Sequence, residues 1–296
     1  MEAGRVLVNG EPIGRPAVRL AQDDVVEVGL PPLARRPRPA PEPLPLDVVY
    51  QDEVLLVVNK PPGVVVHPAH GHRGGTLFNA LLWHAQSWPD GQRPSLVHRL
   101  DRHTSGLLLV ARTRVVHARL ARLLGSRAAE KDYLAVVHGR ARRSRFDVTL
   151  RLAPDPTDRR RVVASATEGR PSATRVERLA LSSGPQRGLS LVRCRLLTGR
   201  MHQIRAHLAA VGLPLVGDPV YCRAENVAWP DDSGLSEVCR RFARQALHAW
   251  RLTFPHPVSG RRLEFEASLP DDMAQLVAAA GFTTPALRAT GSSRPR

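Results

Sequence analysis

The order of strand-like and helix-like segments between residues 48 and 282 is what most limits how this chain folds. Three apolar runs are typical of buried strands: VLLVVNK, DYLAVVHG and LSLVRCRLL. Three segments carry apolar residues at helical spacing: TLFNALLWHAQS, RVVHARLARLLG and HQIRAHLAAVG. The segment RLTFPHPVSGRRLEFEASL is typical of a hairpin. Because strands and helices do not alternate strictly, this order predicts an α+β fold.

The chain divides into four parts by composition. Residues 1–29 alternate apolar and polar positions around Asn9 and Gly10, which predicts a small hairpin-rich unit. Residues 30–47 are rich in proline and arginine and predict an extended linker. The globular pattern runs over 48–282, and the polar residues 283–296 predict a disordered tail.

The charge of the chain favours a partner rich in phosphate. The sequence has 43 basic and 27 acidic residues, a formal net charge of +16 and an isoelectric point near 11.3. Lysine occurs only at Lys60 and Lys131, so codon bias explains the preference for arginine, but it does not explain the basic excess. We therefore favour nucleic-acid binding over a merely basic surface. Residues 140–161 hold eight arginines and predict a basic, loop-rich insert.

Several classes of protein are disfavoured. No run of about eighteen apolar residues is present, so no membrane span is expected, and the first ten residues lack a secretory pattern. Three widely spaced cysteines disfavour a disulfide framework or a zinc knuckle. His202 and His207 do not have the spacing of a zinc protease motif. We expect a cytoplasmic monomer that holds no metal.

The stretch LVHRLDRHTSGLLLVAR, residues 96–112, carries one carboxylate among many cations and donors. A single aspartate between two strands is most often a turn former. Here Arg99 and Arg102 favour the ionised form of Asp101, and Thr104 and Ser105 add hydroxyl donors. An ionised, partly buried aspartate without a metal is a candidate nucleophile or general base.

The stretch LLTGRMHQIRAHL, residues 196–208, concentrates basic and polar side chains where a helix follows a strand. These side chains are Arg200, His202, Gln203, Arg205 and His207. Helix N-termini bind anions, so this stretch predicts a phosphate-binding site. A solvated basic helix face is the simpler interpretation, but the interleaved apolar residues indicate that one side is buried.

The stretch EKDYLAVVHG, residues 130–139, begins a strand with Lys131 and Tyr133. A half-buried strand tyrosine is the ordinary interpretation. A tyrosine that lines a site could instead stack on a nucleobase.

Taken together, the blocks resemble the RluA/RluD family of pseudouridine synthases over about residues 46–275. The blocks are VVYQDEVLLVVNKPPGVVVHP, HRLDRHTSGLLLVA, EKDYLAVVHG, TGRMHQIRAHLAAVGLPLVGDPVY and RQALHAWRLTFPHPVSG, in that order. The resemblance implies the pseudouridine synthase fold, a mixed, mainly antiparallel central sheet with flanking helices. It also implies that no cofactor or metal is needed. The similarity is closest to the RluD branch, which acts on large-subunit ribosomal RNA.

The resemblance assigns roles to individual residues. Asp101 matches the catalytic aspartate, Arg99 the arginine that displaces the target base, and Tyr133 the tyrosine that packs on the uracil. A basic residue of the block TGRMHQIRAHLAAVGLPLVGDPVY pairs with the aspartate, and we expect Arg200, with Arg205 as the alternative. The predicted RNA contacts are Arg99, Arg102, Lys131, His202, Gln203 and Arg205.

The implied reaction is the isomerisation of uridine to pseudouridine in RNA. Whether Asp101 attacks the sugar, attacks the ring or removes a ribose proton stays open. The alternatives are a synthase for transfer RNA and a non-catalytic RNA-binding or ribosome-assembly factor. Relatives begin with a small RNA-binding domain whose helical half is missing here. Residues 1–29 are therefore expected to be a remnant of that domain, or translation starts upstream of Met1.

Overall fold

The computed structural model describes residues 6–15, 17–29, 39–68, 73–158, 161–183, 188–222, 227, 229–230 and 233–283. The chain forms two compact units, Met1–Arg38 and Pro39–Arg296. The boundary between them falls inside the predicted linker. Each unit is described by itself below.

The first unit contains a three-stranded antiparallel sheet in the order β2-β1-β3. The strands are β1 (Val6–Val8), β2 (Glu11–Pro12) and β3 (Val26–Val28). Asn9 and Gly10, between β1 and β2, have φ values of 52° and 84°. Two successive positive φ values match the type I′ turn that closes tight hairpins. The predicted hairpin at Asn9 is therefore confirmed.

The second unit is built on one large sheet of eleven strands. They are β4 (Val48–Gln51), β5 (Leu55–Lys60), β6 (Ser95–Leu96), β7 (Ser105–Ala111), β8 (Glu130–His138), β9 (Arg145–Pro154), β10 (Val162–Ser165), β11 (Arg170–Leu181), β12 (Leu189–Leu196), β13 (Leu247–Pro255) and β14 (Arg262–Glu266). The main order is β10-β9-β11-β12-β8-β13-β7-β5-β4, with β14 beside β13 and β6 beside β7. All described pairings in this sheet are antiparallel except β7 with β13. The predicted α+β class with a mixed, mainly antiparallel sheet is confirmed.

Five helices and one 3₁₀ turn are described in this unit. They are α1 (Leu77–His84) with the 3₁₀ turn Ala85–Ser87, α2 (Arg114–Leu124), α3 (Gln203–Ala210), α4 (Ser233–Arg241) and α5 (Asp271–Ala279). Thr76 caps α1 by accepting a hydrogen bond from the amide of Asn79, and Gly125 ends α2. Apolar residues of α1 and α3 pack in one core cluster, and those of α4 and α5 pack in another. Residues of α2 pack with β5, β7, β13 and β14 in a third.

The parallel contact between β7 and β13 depends on Gly106. Ser105 pairs with His248 and Gly106 with Ala249. Gly106 has φ +110°, and a Cβ at this position would lie 2.2 Å from the carbonyl oxygen of Ala249. Only glycine allows the two backbones to approach this closely. This contact fixes the segment that precedes β7 against the start of β13.

The prediction that residues 140–161 are a loop-rich insert is wrong. Strand β9 occupies Arg145–Pro154 and pairs with both β10 and β11. Apolar side chains at alternate positions form its inner face: Phe146, Val148, Leu150 and Leu152. The two-residue period of a strand was present, but the arginines around it hid the pattern.

The predicted linker is only partly a linker. Its second half is bonded to α1, because the side-chain amide of Asn79 donates to the carbonyl of Ala40, and Glu42 bonds the backbone of Asn79 and Gly75. Residues 30–38 lie outside the described residues. So do residues 284–296, which hold nearly all of the predicted tail.

Candidate active site

A cavity of about 400 Å³ opens where three sequence motifs meet. Its wall includes the turn before β7, the start of β8 and the loop that joins β12 to α3. The predicted site residues that line it are Arg99, Asp101, Lys131, Tyr133, Arg200, His202, Gln203 and Arg205. Arg102, the remaining predicted residue, lies next to Asp101 on the same turn. The structure therefore brings the predicted site together.

Asp101 is paired with Arg205 and not with Arg200. The Nη1 atom of Arg205 donates to Oδ2 of Asp101 at 3.0 Å, and the Arg205 side chain is 5% exposed. Arg200 lies in the loop before α3, and its guanidinium forms no ion pair with a described residue. The prediction that Arg200 pairs with the aspartate is wrong, and the alternative residue makes the contact. The RNA contact that the sequence predicted for Arg205 stays a prediction; in the structure its guanidinium binds two carboxylates.

Arg205 is held in place by Asp218, which sequence reasoning missed. Nε and Nη2 of Arg205 donate to the two carboxylate oxygens of Asp218 at 2.7 and 2.8 Å. The guanidinium carbon lies 5.1 Å from the centroid of the Tyr221 ring. Burial opposes the charge of Arg205, but the bonds to Asp218 and Asp101 raise the pKa of the guanidinium above its usual value. The permanent charge of Arg205 therefore faces the carboxylate of Asp101 and holds it by a charge-assisted hydrogen bond.

The signal for Asp218 was its place in the sequence GDPVY, at the end of the fourth family block. Its Oδ1 atom also accepts hydrogen bonds from the amides of Val220 and Tyr221, at 2.9 and 3.1 Å. Asp218 thus fixes both Arg205 and the ring that packs on it.

The turn 102–105 follows Asp101, and each of its four residues is hydrogen-bonded to a side chain outside the turn. We call the side chains that hold it the turn clamp: Lys60, Arg244, Gln245 and His248. Nζ of Lys60 donates to the carbonyl of Arg102 at 3.0 Å. Nη1 of Arg244 donates to the carbonyl of His103 at 3.0 Å, and Nε2 of Gln245 donates to Oγ1 of Thr104 at 3.2 Å. Ser105 Oγ lies 2.9 Å from Nδ1 of His248.

The turn clamp explains the block RQALHAW, to which sequence reasoning gave no role. Burial lowers the pKa of His248 to about 4, so its ring is neutral near pH 7. Nε2 lies 3.1 Å from the carbonyl of Ala267, which can only accept, so Nε2 carries the proton. Nδ1 therefore accepts the hydroxyl proton of Ser105. Arg244 is itself held by Asp272 through two bonds, at 2.6 and 2.7 Å.

Tyr133 faces the cavity from β8. It pairs with Ala249 of β13 and Cys194 of β12, and it is 7% exposed. Burial and the carboxylate of Asp101 raise the pKa of its phenol well above the usual value. Tyr133 is therefore a protonated phenol at neutral pH, and its ring is available for packing against a flat ligand.

His202 and Gln203 open helix α3 in different ways. His202 has a left-handed backbone with φ 51°, and its Nε2 lies 3.7 Å from Oδ2 of Asp101. Gln203 is buried, and its side-chain amide donates to Ala173 and Thr174, while its oxygen accepts from Thr198 and the amide of Arg200. The prediction that Gln203 contacts RNA is therefore wrong, because its amide group is used to fix the loop.

Four cations of the cavity region form no ion pair with a carboxylate of the described residues. We call them the rim cations: Arg99, Arg102, Lys131 and Arg200. Three of them line the cavity, and Arg102 is exposed beside Asp101 with its Nε bonded to the carbonyl of Gly63 at 3.0 Å. Cations without a carboxylate partner are free to bind phosphate oxygens.

The opposite face of the sheet carries arginines whose charge is neutralised. Residue 132 precedes Tyr133 on β8, so its side chain points to the other face. On this face Arg195 binds Asp132 through two bonds at 2.7 and 2.8 Å, and Arg175 binds Asp147 at 2.9 and 3.0 Å. Three further arginines there are paired with glutamates: Arg145, Arg193 and Arg251. We call these paired residues the charge ladder; carboxylates neutralise its arginines, whereas the rim cations have no such partner.

The described part of the chain holds neither a metal-binding cluster nor a membrane-spanning helix. In that part, no three histidine, cysteine, aspartate or glutamate side chains are grouped so that they could hold a metal ion. Likewise, none of the helices there has the length and apolar character needed to cross a membrane.

Comparisons with known proteins agree with the geometry. The family model described as RNA pseudouridylate synthase matches residues 54–210. The chain is 40% identical to the ribosomal large subunit pseudouridine synthase D of Zymomonas mobilis, over 87% of this chain and 80% of that one. It is 38% identical to the uncharacterized RNA pseudouridine synthase YlyB of Bacillus subtilis, over 93% and 85%. The solved structure of human RNA pseudouridylate synthase domain containing 1 aligns with TM-score 0.60 and 27% identity, over 79% and 87%.

Proposed function

This chain belongs to the RNA pseudouridylate synthase family, and we propose that its substrate is the RNA of the large ribosomal subunit. As a member of that family it is an enzyme that isomerises uridine to pseudouridine in RNA. Support for the ribosomal substrate comes from relatives named as large-subunit synthases, which are 37% to 43% identical to it.

The proposal for the site rests on the carboxylate of Asp101, which Arg205 holds in the cavity wall. The reaction breaks the bond between ribose carbon 1′ and uracil nitrogen 1, turns the base, and joins carbon 5 to the sugar. Of the described residues that line the cavity, Asp101 is the only acid. A cavity of about 400 Å³ is within the usual range for a pocket that takes one small ligand. Asp101 therefore acts on the target nucleotide, as nucleophile or as general base.

Tyr133 and Arg99 are proposed to hold the target uridine outside the RNA helix. Enzymes that react with a base inside a duplex extrude the nucleotide, at a cost of a few kcal/mol for unstacking. The buried ring of Tyr133 supplies a surface for the extruded uracil, close to Asp101. Arg99 is exposed at the cavity mouth, and its side chain fills the gap that the uridine leaves.

The rim cations other than Arg99 are proposed to bind the phosphates on either side of the target. Contacts to phosphates fix the register of a nucleic acid without reading its sequence. Because the charge ladder is neutralised, the RNA binds across the cavity face. His202 lies among these cations, but its distance to Asp101 gives it a different use, which is developed below.

The predicted division of the chain is kept as part of this proposal. Residues 48–282 carry the reaction, residues 1–29 add an RNA contact, and residues 30–47 join them. We also propose that the protein works as a cytoplasmic monomer without a cofactor.

The experiment that tests the substrate compares RNA from three strains. Pseudouridine is mapped across total RNA of a strain that lacks the protein, of the same strain expressing the wild-type protein, and of one expressing Asp101→Asn. We expect one or more sites of large-subunit RNA to disappear in the deletion strain and to return only with the wild-type protein. Loss of sites in transfer RNA alone would refute the ribosomal substrate. Restoration by Asp101→Asn would refute the role of Asp101.

A further inference from the structure

Formation of pseudouridine requires a second proton transfer, and this transfer needs a base at the site. When carbon 5 of uracil has joined ribose carbon 1′, that carbon still carries its hydrogen. Its proton must leave so that the double bond between carbons 5 and 6 is restored. Nitrogen 1, which left the ribose with the electron pair of the broken bond, gains a proton from solvent. The net change is an isomerisation. None of the residue roles proposed above assigns an acceptor for the proton of carbon 5.

Most polar groups that line the cavity cannot accept this proton. Tyr133 is a protonated phenol, because burial raises the pKa of its hydroxyl. His98 already uses Nε2 to accept the amide hydrogen of Leu109 at 3.1 Å. Nζ of Lys131 donates to the carbonyl of Leu124 at 2.9 Å. Among the described residues of the cavity wall, His202 remains beside Asp101, whose carboxylate already carries the first step.

The hydrogen bonds of Tyr221 define a tautomer of His202 with a free Nε2. The Tyr221 hydroxyl accepts from the amide of Val162 at 2.9 Å, and its oxygen lies 3.2 Å from both the Val162 carbonyl and Nδ1 of His202. When the hydroxyl hydrogen is directed at the carbonyl, Nδ1 carries a hydrogen and donates it to the Tyr221 oxygen. In this tautomer Nε2 is unprotonated, and this is the form in which His202 acts as a base.

The free Nε2 atom faces the place where the reaction occurs. It lies 3.7 Å from Oδ2 of Asp101, which is too far for a hydrogen bond. The two atoms are nevertheless close enough to contact the same bound nucleotide. The backbone of His202 is left-handed, with φ 51°, a conformation that is uncommon for residues other than glycine. Such backbone strain occurs mainly where a side chain must be aimed at a site.

We infer that His202 is a second catalytic base, whose Nε2 takes the proton from carbon 5 after the new carbon–carbon bond has formed. The imidazolium that results returns the proton to solvent, and Asp101 is unchanged by this step. The inference rests on the family reaction and on the proposed position of the nucleotide against Asp101.

The charges around His202 suit such a base. Burial is the main effect that lowers the pKa of its ring, and Arg205 and Arg99 act in the same direction, which keeps the free ring neutral. The carboxylates of Asp101 and Asp218 act in the opposite direction. They stabilise the imidazolium once it forms.

The test replaces His202 and follows the hydrogen on carbon 5. Asparagine tolerates a left-handed backbone and its side-chain amide can still donate to Tyr221, but an amide is not a base, so His202→Asn removes only the proposed chemistry. RNA is labelled in the strain that lacks the protein, with both 5-tritiated and carbon-14 uridine. This RNA contains the natural target whether it is ribosomal or not, so the test does not depend on the proposed substrate. A failure of the large-subunit assignment would therefore leave its outcome readable.

We expect His202→Asn to lower the single-turnover rate by about 10²–10⁴-fold, the usual effect of losing a general base. We also expect its tritium isotope effect, measured from the ratio of the two labels in the product, to exceed that of the wild-type protein. His84→Asn, in helix α1 and outside the cavity wall, is the matched control and should change neither quantity. If His202→Asn does not fold, His202→Gly replaces it, because glycine also suits the positive φ.

Two results would overturn the inference. One is a variant with a wild-type rate. The other is a slower variant whose isotope effect equals that of the wild-type protein, because His202 would then position the substrate or the loop without taking the proton.

Discussion

Replacing Asp218 by alanine should cost far more stability than replacing a similarly paired aspartate on the charge ladder. The Asp218 side chain is fully buried, and it accepts four hydrogen bonds, two from Arg205 and two from backbone amides. In Asp218→Ala the guanidinium of Arg205 stays buried with Asp101 as its remaining carboxylate. The matched control is Asp147→Ala, which breaks a two-bond pair with Arg175; the Arg175 and Asp147 side chains are 47% and 38% exposed.

The size of the effect follows from burial. Removing one partner of a buried ion pair costs about 3–5 kcal/mol. An exposed pair contributes about 0–1 kcal/mol. For a unit of this size, 1 kcal/mol shifts the midpoint of thermal unfolding by about 2–4 °C. Asp218→Ala should therefore unfold about 6–20 °C below the wild-type protein, and Asp147→Ala no more than about 4 °C below it.

Thermal unfolding followed by circular dichroism measures both variants. Pseudouridine formation, measured well below both midpoints, then separates stability from catalysis. Asp218→Ala should be strongly impaired because Arg205 no longer holds Asp101 in place, whereas Asp147→Ala should have wild-type activity. Equal midpoints for the two variants, or a fully active Asp218→Ala, would refute the argument that the buried pair orients the catalytic carboxylate.

Four further predictions concern the turn, the charge and the histidines. Asp101→Asn should lower product formation by at least 10²-fold and leave RNA binding in a filter assay nearly unchanged, and activity within about tenfold of wild type would contradict its role. Gly106→Ala should lower the free energy of unfolding, measured with urea, by on the order of 3 kcal/mol, because the added Cβ would collide with the Ala249 carbonyl. Gly260→Ala is the control and should lower it less, because no atom lies near a Cβ at that position. RNA affinity should fall about 20-fold between 50 and 200 mM salt if Arg102, Lys131 and Arg200 each bind one phosphate. Arg200→Gln should lower the slope of log affinity against log salt by about 0.7, and Arg175→Gln should not change it. The free energy of unfolding should be fully retained above about pH 6.5 and fall toward pH 4, by up to about 1.4 kcal/mol per pH unit for each buried histidine. The reason is that the unfolded chain binds protons that the folded chain excludes. A free energy of unfolding, measured with urea, that does not change over this pH range would contradict the prediction. Burial lowers the pKa to about 4 in four histidines: His98, His138, His207 and His248.

The sequence predicted the parts of the site that lie on regular elements with a clear period. Asp101 and Tyr133 could be found because each lies beside or within an apolar run, and runs of that kind form buried strands. The choice between Arg200 and Arg205 could not be made in the same way. It depends on where helix α3 starts, and the left-handed residue before Gln203 turns the chain in a manner that propensities do not reveal.

Asp218 and the turn clamp show a second limit. Their importance comes from contacts between residues far apart in the chain. Asp218 holds Arg205, which contacts Asp101, and His248 contacts Ser105. Local pattern carries no information about which distant polar residues will meet. Strand β9 shows a third limit, because a surface rich in arginine masked an inner face with an ordinary strand period.

The turn clamp also determines when the enzyme becomes competent during its own synthesis. Three of its four side chains lie between residues 244 and 248, and His248 is fixed by a carbonyl at Ala267, whereas the turn it holds ends at Ser105. Contacts of such long sequence separation form late, after the intervening chain has been made and has folded. A nascent chain that ends at β12 therefore contains Asp101 and Tyr133 but lacks the residues at 244–248 that fix the turn beside Asp101. We therefore expect activity to begin only when the C-terminal block has been made and has folded, so that incomplete chains are inactive.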